Sequence, residues 1–352
     1  MTIQFSDYPY YPALRTRPAE ITGYSNLRAD VKNSLLPIMR IGAWPRCEDI
    51  SESIRQLETS TEGRPFILDL TRELMYQNPA VHSLLDSSDD FKPWRNFVKG
   101  ISNAIPVVQF IQSARLPQVI RQTRKLEGMG RKLAFRISDF TNDTNKVITA
   151  LSAMDDPKNA LVIIDAGYIR ETMAASIAAC ISSVNDIREE IPNAEITVIS
   201  TSYPASLTSF VFSNSQSTAG AINILERDLH EEIGVDAVIY GDHGSIHART
   251  GRATGGKYTP TIDCALYDAW LFERRPNTDG EGHISAAQSI LSRWPESSTD
   301  DTWGAEMLRR AASGDLEGLK TRAAWIAVRV NMHLTRQFEL SSQSESSQEE
   351  DI

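Results

Sequence analysis

Short apolar segments of this sequence repeatedly end in a charged or polar side chain. "YYPALRTR" (10–17) closes on Arg15 and Arg17, "LLPIMRI" (35–41) on Arg40 and "RPFILDLT" (64–71) on Asp69. "AIPVVQF" (104–110) supplies Gln109, "KLAFRIS" (132–138) Arg136 and "ALVIIDAG" (160–167) Asp165. "EITVIST" (195–201) brings Ser200, with Ser202 just beyond it, and "DAVIYGDHGS" (236–245) brings Asp242 and His243. Packing alone does not select such groups at the ends of apolar runs, because an unpaired buried charge is costly. Gathered in one place, they form either a structural salt-bridge layer or a wet cavity whose guanidinium groups hold phosphate or carboxylate. Asp69, Asp165, Asp242 and His243 are the candidate catalytic groups. Arg15, Arg17, Arg40, Arg136, Ser200, Ser202, Lys257 and Tyr258 are the candidate ligand-binding groups.

Other chemistries fit less well. Asp69, Asp165 and Asp242 could together hold a divalent metal. They belong to the third, sixth and eighth segments rather than to neighbouring ones, so pairing with the arginines is the expected role and no cofactor is expected. His243 and His247 have zinc-ligand spacing only if helical, which Gly244 disfavours. Schiff-base chemistry needs a lysine where these segments carry arginine. The sequence has no GxSxG, no HExxH and no GxGxxG after a strand. "GRATGGKYT" (251–259) imitates a phosphate-binding P-loop through Gly256 and Lys257, but Tyr258 stands where the magnesium-binding hydroxyl belongs. A P-loop also opens a helix, whereas this stretch runs into Pro260 and a strand-like segment. It reads as a long loop after the eighth strand, where Arg249, Arg252 and Lys257 would lie over an anion as a lid.

Eight continuous apolar runs suit parallel strands covered on both faces. Helical patterns lie between them: "PAEITGYSNLRADVKNS", "CEDISESIRQLETS", "LPQVIRQTRKLEGMG", "TNDTNKVITALSAM", "IRETMAASIAACISSVNDIREE" and "AGAINILERDLHEEIG". Strand–helix alternation of this length predicts a single (β/α)8 TIM-type barrel, with a doubly wound open parallel sheet as the alternative. "TIDCALYDAWLFERR" (261–275) is strand-like, and three further helical segments follow it. The expected organisation is one domain over residues 1–340, including the C-terminal helices, and a disordered acidic tail over 341–352.

The chain has 352 residues and a net charge of −10, which disfavours non-specific nucleic-acid binding. Cys47, Cys180 and Cys264 form no paired motif, so a reduced, cytoplasmic setting is expected. "MTIQFSDYPYYP" lacks the basic and apolar regions of a signal peptide, and no apolar run has the length of a membrane span.

Tyr10, Pro12, Leu14, Arg15, Arg17 and Glu20 follow the opening pattern of the phage beta-protein family, which the chain resembles over roughly residues 8–275. "LDL" with Asp69, "DAGYI" with Asp165, "STSYP" with Ser202 and Pro204, and "GDHGSIH" with Asp242 are similar later landmarks, as is "GGKYT" ahead of "YDAWLFER". One departure is His243, where the family pattern places an aromatic residue. The resemblance implies an immunity or antitoxin-like factor in a phage or mobile-element killing or defence system, with a toxin or neighbouring defence protein as partner. It carries over no catalytic residue. The Arg/Asp set itself suggests the alternative of a barrel hydrolase or lyase acting on a phosphorylated or nucleotide-like small molecule.

Overall fold

The structure, a computed structural model, describes residues 3–212, 218–247, 259–275 and 281–349. In chain order its elements are β1 (Tyr11–Arg15), α1 (Pro18–Ser25), α2 (Ala29–Ser34), β2 (Ile38–Ile41), α3 (Ser51–Thr61) and β3 (Phe66–Leu70). Then come α4 (Pro79–Leu84), α5 (Ser88–Lys99), β4 (Ala104–Pro106), α6 (Leu116–Glu127), β5 (Leu133–Ile137), α7 (Phe140–Ser152), β6 (Ala160–Tyr168) and α8 (Met173–Glu190). The remainder is β7 (Glu195–Thr201), β8 (Thr218–Asn223), α9 (Glu226–Ile233), β9 (Ile239–Asp242), β10 (Thr261–Ala265), β11 (Ala269–Arg274), α10 (Gly282–Ser292), α11 (Trp303–Ala312) and α12 (Arg322–Glu349).

Eight strands form one parallel sheet in the order β4-β3-β2-β1-β9-β7-β6-β5. A parallel bridge between Val107 and Ala134 joins its two ends, and Val108 N donates to Ala134 O at 2.8 Å. That seam makes the sheet a (β/α)8-like barrel and removes the open-sheet alternative. All eight strands expected from the sequence take part. β8 does not: it pairs antiparallel with β11, which pairs with β10, in a separate three-stranded sheet.

The pleat sends alternate side chains into the barrel. Tyr11, Ala13, Ile38, Ile67, Ile105, Ala134, Leu161, Ile163 and Ile199 fill its lower interior, and Phe5 packs against them. Gly241 belongs to this tight interior: a Cβ there would meet Ile199 Cγ2 at 2.7 Å and Tyr11 O at 2.8 Å. Opposite side chains, such as Leu68, Phe135, Val162 and Val198, pack outward beneath the helices. A second core lies under the small sheet and includes Ile222, Trp270, Phe272, Ile290, Leu308 and Trp325. α12 serves both: Trp325, Val328 and Met332 enter the second core, Val330 and Leu334 the first.

Three features differ from expectation. The helix read over 219–234 begins as β8, paired antiparallel with β11, and Gly220 passes so close to Phe210 O and the Phe272 ring that a Cβ could not fit. α4 and α5 occupy a stretch where no helix was expected. α5 contains Pro93, and at its start Asp89, Asp90 and Phe91 have φ between 46° and 58°, so helical periodicity is broken there. α12 continues to Glu349, past residue 340 where the acidic tail was expected to begin.

Candidate functional site

Two residues beyond the apolar layer, the same alternation turns a polar layer inward at the carboxyl ends of the strands. Arg15, Arg40, Asp69, Arg136 and Asp165 are all 8% exposed or less, Gln109 is fully buried and His243 is 2% exposed. Strand register sets the order around the ring. Arg15 is level with Arg40, and Arg40 with Asp69.

The ring is a chain of charge pairs. Arg136 Nη1 donates to Asp165 Oδ2 at 3.3 Å. Its Nε lies 2.9 Å from Asp69 Oδ2, a close ion pair without hydrogen-bond alignment. His243 Nε2 is 2.9 Å from Asp165 Oδ1, and the main chain of His243 is fixed by Ser200 O. Gln109 Nε2 donates to Asp69 Oδ1 at 3.0 Å, while Gln109 Oε1 accepts from Arg72. Gln122 of α6 clamps the Gln109 backbone through N–H and C=O together, so the ring is anchored to the outer helices. On the other side, Arg15 reaches Glu73 at 2.9 Å and Glu20 at 3.3 Å.

Electrostatics follow from this wiring. Burial alone would push the Asp165 carboxyl up, but His243, Arg136 and Arg40 together hold it well below the usual carboxylate range. Burial opposes charge on Arg136 too, and the carboxylates of Asp69 and Asp165 more than offset it. Arg72, beside the ring, is pushed down to about 10 by burial. Arg40 is the exception among the ring arginines. Among the described residues it forms no ion pair, and its buried Nε has no hydrogen-bond partner. Burial lowers its pKa, and the like charges of Arg15 and Arg136 act in the same direction against the attraction of Asp165 and Glu73.

Of the residues singled out from sequence, Arg15, Arg40, Asp69, Arg136, Asp165 and His243 meet in this ring. Asp242 does not. It faces outward between β1, β9 and α12, where Tyr10, Tyr240, His333 and the Gly244 N–H all bond to it. It therefore lies apart from Asp69 and Asp165, and the three carboxylates do not share a site. Ser202 also leaves the ring, bonding Glu226 through both its N–H and its hydroxyl. Ser200 alternates with the inward Ile199 and is 1% exposed on the outer face. Arg17 stands above the ring, bonded to Ala43 O and laid over the Tyr76 ring at 4.7 Å. Lys257 and Tyr258, with the proposed lid over 249–257, lie outside the described residues. His247 is turned to Tyr203 O at 2.9 Å, away from His243. Sequence reasoning missed Arg72, Glu73 and Tyr76, which follow the end of β3; nothing but their closeness to Asp69 in the chain marks them.

Among the described residues no group of three or more His, Cys, Asp or Glu side chains is arranged to hold a metal ion, and no helix is long and apolar enough to cross a membrane. No solved structure matches the chain. The Beta protein family matches residues 10–339. Protein beta of Enterobacteria phage P4 is 47% identical over 342 residues, covering 97% of this chain and 96% of the relative. An opening Tyr10-to-Glu20 pattern whose members build the first strand and its ring arginine, and a match over nearly the whole barrel, lead to one assignment: the chain belongs to the beta-protein family.

Proposed function

We propose that the mouth of this barrel binds an anionic group, phosphate or carboxylate, and that the protein acts through it as an immunity or antitoxin-like factor of a phage or other mobile element. The observation that carries the first half is Arg40: a guanidinium 8% exposed, with no ion pair among the described residues, in a ring whose other charges are answered. An anion seated there would supply the missing counter-charge, and a planar guanidinium suits two oxygens at once. The immunity half is supported by the family resemblance alone.

Isothermal titration with inorganic phosphate and with succinate tests the site. Wild type should bind at least one of them, and Arg40→Met should bind at least tenfold more weakly. Equal affinities would exclude Arg40 as the anion's partner. Co-expression with the product of the neighbouring gene tests the role: killing that is the same with and without this protein ends the immunity reading.

A hydrolase or lyase reading draws on one further observation. Asp165 holds His243 by Nε2, while the buried Nδ1 has no partner among the described residues. A carboxylate-held imidazole with its second nitrogen unbonded is the arrangement of a general base. On that reading His243→Gln would abolish rescue while leaving anion affinity intact; loss of both together would count against it.

A further inference from the structure

Beside the ring, on the side of β1, opens a cavity of about 730 Å³. Among the described residues its wall carries Arg15, Arg17, Arg274, Arg322 and Arg329 against Glu20 and Asp263, with Glu73 reaching Arg15 from beside it, so positive charge is in excess there in a chain of net charge −10. Arg15 and Arg329 are answered by carboxylates, Glu20 and Glu73 for the first and Asp263 for the second. Arg17 and Arg322 have no carboxylate partner among the described residues. α12 begins at Arg322, so the positive end of its dipole lies against the same wall. The cavity of about 500 Å³ on the opposite side of the ring is different: Arg72, Arg136 and Lys146 balance Asp69, Asp139 and Asp143. Among the described residues, surplus positive charge therefore extends from the ring towards the β1 side and not towards the other cavity.

Arg15 connects the two places. It lines the larger cavity and sits level with Arg40 on the neighbouring strand. Aromatic rings of the cavity are already engaged. Tyr76 lies under Arg17 and Arg15, and Tyr203 has Arg329 over its ring at 3.8 Å. Trp325 stacks on His283. This arrangement offers little for stacking a nucleobase and much for a second anionic group.

Building on the anion reading of the mouth, we infer that the natural ligand is a small molecule with two separated anionic groups joined by a non-aromatic spacer. One group sits on Arg40 and the other against Arg17 and Arg322. A single phosphate satisfies the first position and leaves the second empty.

Calorimetric titration of the full chain with methylphosphonate and with alkane-α,ω-bisphosphonates of increasing chain length tests this. One length should bind at least tenfold more tightly than methylphosphonate. Arg322→Ala, an exposed change that spares the core, should remove that advantage and leave methylphosphonate affinity unchanged; Arg40→Met should weaken both. If methylphosphonate binds but no bisphosphonate binds more tightly, or if Arg322→Ala leaves the advantage intact, the two-group ligand is refuted while the anion site stands. If no phosphonate binds and inorganic phosphate and succinate fail as well, the anion site falls and this inference with it.

Discussion

Methionine in place of Arg40 should stabilise the unliganded protein, whereas methionine in place of Arg136 should destabilise it. Both arginines are 8% exposed, both lie in the same ring, and both lose the same charge and a similar length of side chain. The difference is in what each leaves behind. Removing Arg136 strands Asp69, which faces it at 2.9 Å, and leaves Asp165, at 3.3 Å, only His243 as a close ion-pair partner; breaking a buried pair of this kind costs about 3–5 kcal/mol. Removing Arg40 strands no paired carboxylate, since Asp165 keeps Arg136 and His243. It relieves the desolvation of a cation without an ion pair; replacing a whole buried ion pair by apolar side chains, which stabilises by about 1–4 kcal/mol, sets the scale. The lost attraction to Asp165 places the net gain at the lower end, about 1–2 kcal/mol. With an unfolding entropy of about 2.1 cal/mol/K per residue, 352 residues convert 1 kcal/mol into roughly 1.4 °C. Arg40→Met should therefore raise the Tm by roughly 1–3 °C, and Arg136→Met should lower it by roughly 4–7 °C. The melts belong in phosphate-free buffer, because a bound anion would stabilise the wild type by about 2.7 kcal/mol at a hundredfold excess over Kd, against about 1.4 kcal/mol for a variant that binds tenfold more weakly. At a hundredfold excess of phosphate the gap between Arg40→Met and wild type should shrink by about 1.3 kcal/mol or more. Arg40→Met as unstable as Arg136→Met in anion-free buffer would refute the reasoning and make Arg40 a structural cation.

Asp165 and Asp242 both titrate below the ordinary carboxylate range in the fold, against burial, because histidines and other partners favour their charged forms. Their stabilisation is present at neutral pH and is lost as pH falls below about 4, the unfolded value, towards the folded ones; urea midpoints between pH 6 and pH 3 should drop, and drop less in Asp165→Asn. Tyr10→Phe removes the hydroxyl that bridges both oxygens of the buried Asp242 and should cost about 1–3 kcal/mol in urea denaturation, so no loss would mean that the site rehydrates. Gly241→Ala drives a Cβ against Ile199 and the Tyr11 carbonyl inside the barrel and should cost about 1–3 kcal/mol; an unchanged melt would show that β1 and β9 can separate.

The eight barrel strands were legible because each is a short apolar run ending in polar residues, flanked by helical patterns. Which face a given residue takes was not. Strands covered on both faces show no alternation, and a shift of one position reverses every side chain. Asp242 and His243 show this: adjacent in sequence, they lie on opposite sides of the sheet, one in a network with α12 and the other in the ring. Ser202 was misplaced for the same reason. Arg40 stood out by type, but its lack of a counter-ion depends on where Glu20, Glu73 and Asp165 come to rest, and that is a tertiary property. β8 was hidden because Ala219, Gly220 and Ala221 satisfy a helical pattern as readily as a strand, and pairing with β11 decides between them.

The joint of β1, β9 and α12 also sets a timetable for synthesis. Tyr10 is held by Asp242, 232 residues later, and Asp242 by His333, 91 residues later still. At translation rates of roughly 5–20 residues per second, β1 waits roughly 10–50 s for its second neighbour to be made. Until β9 is made, the strands already synthesised can form at most an open parallel sheet, and an exposed sheet edge is prone to pairing with another chain. The ring of charges at the mouth closes only with β9, so it is completed late in synthesis, and any release of the chain before α12 leaves Asp242 without His333.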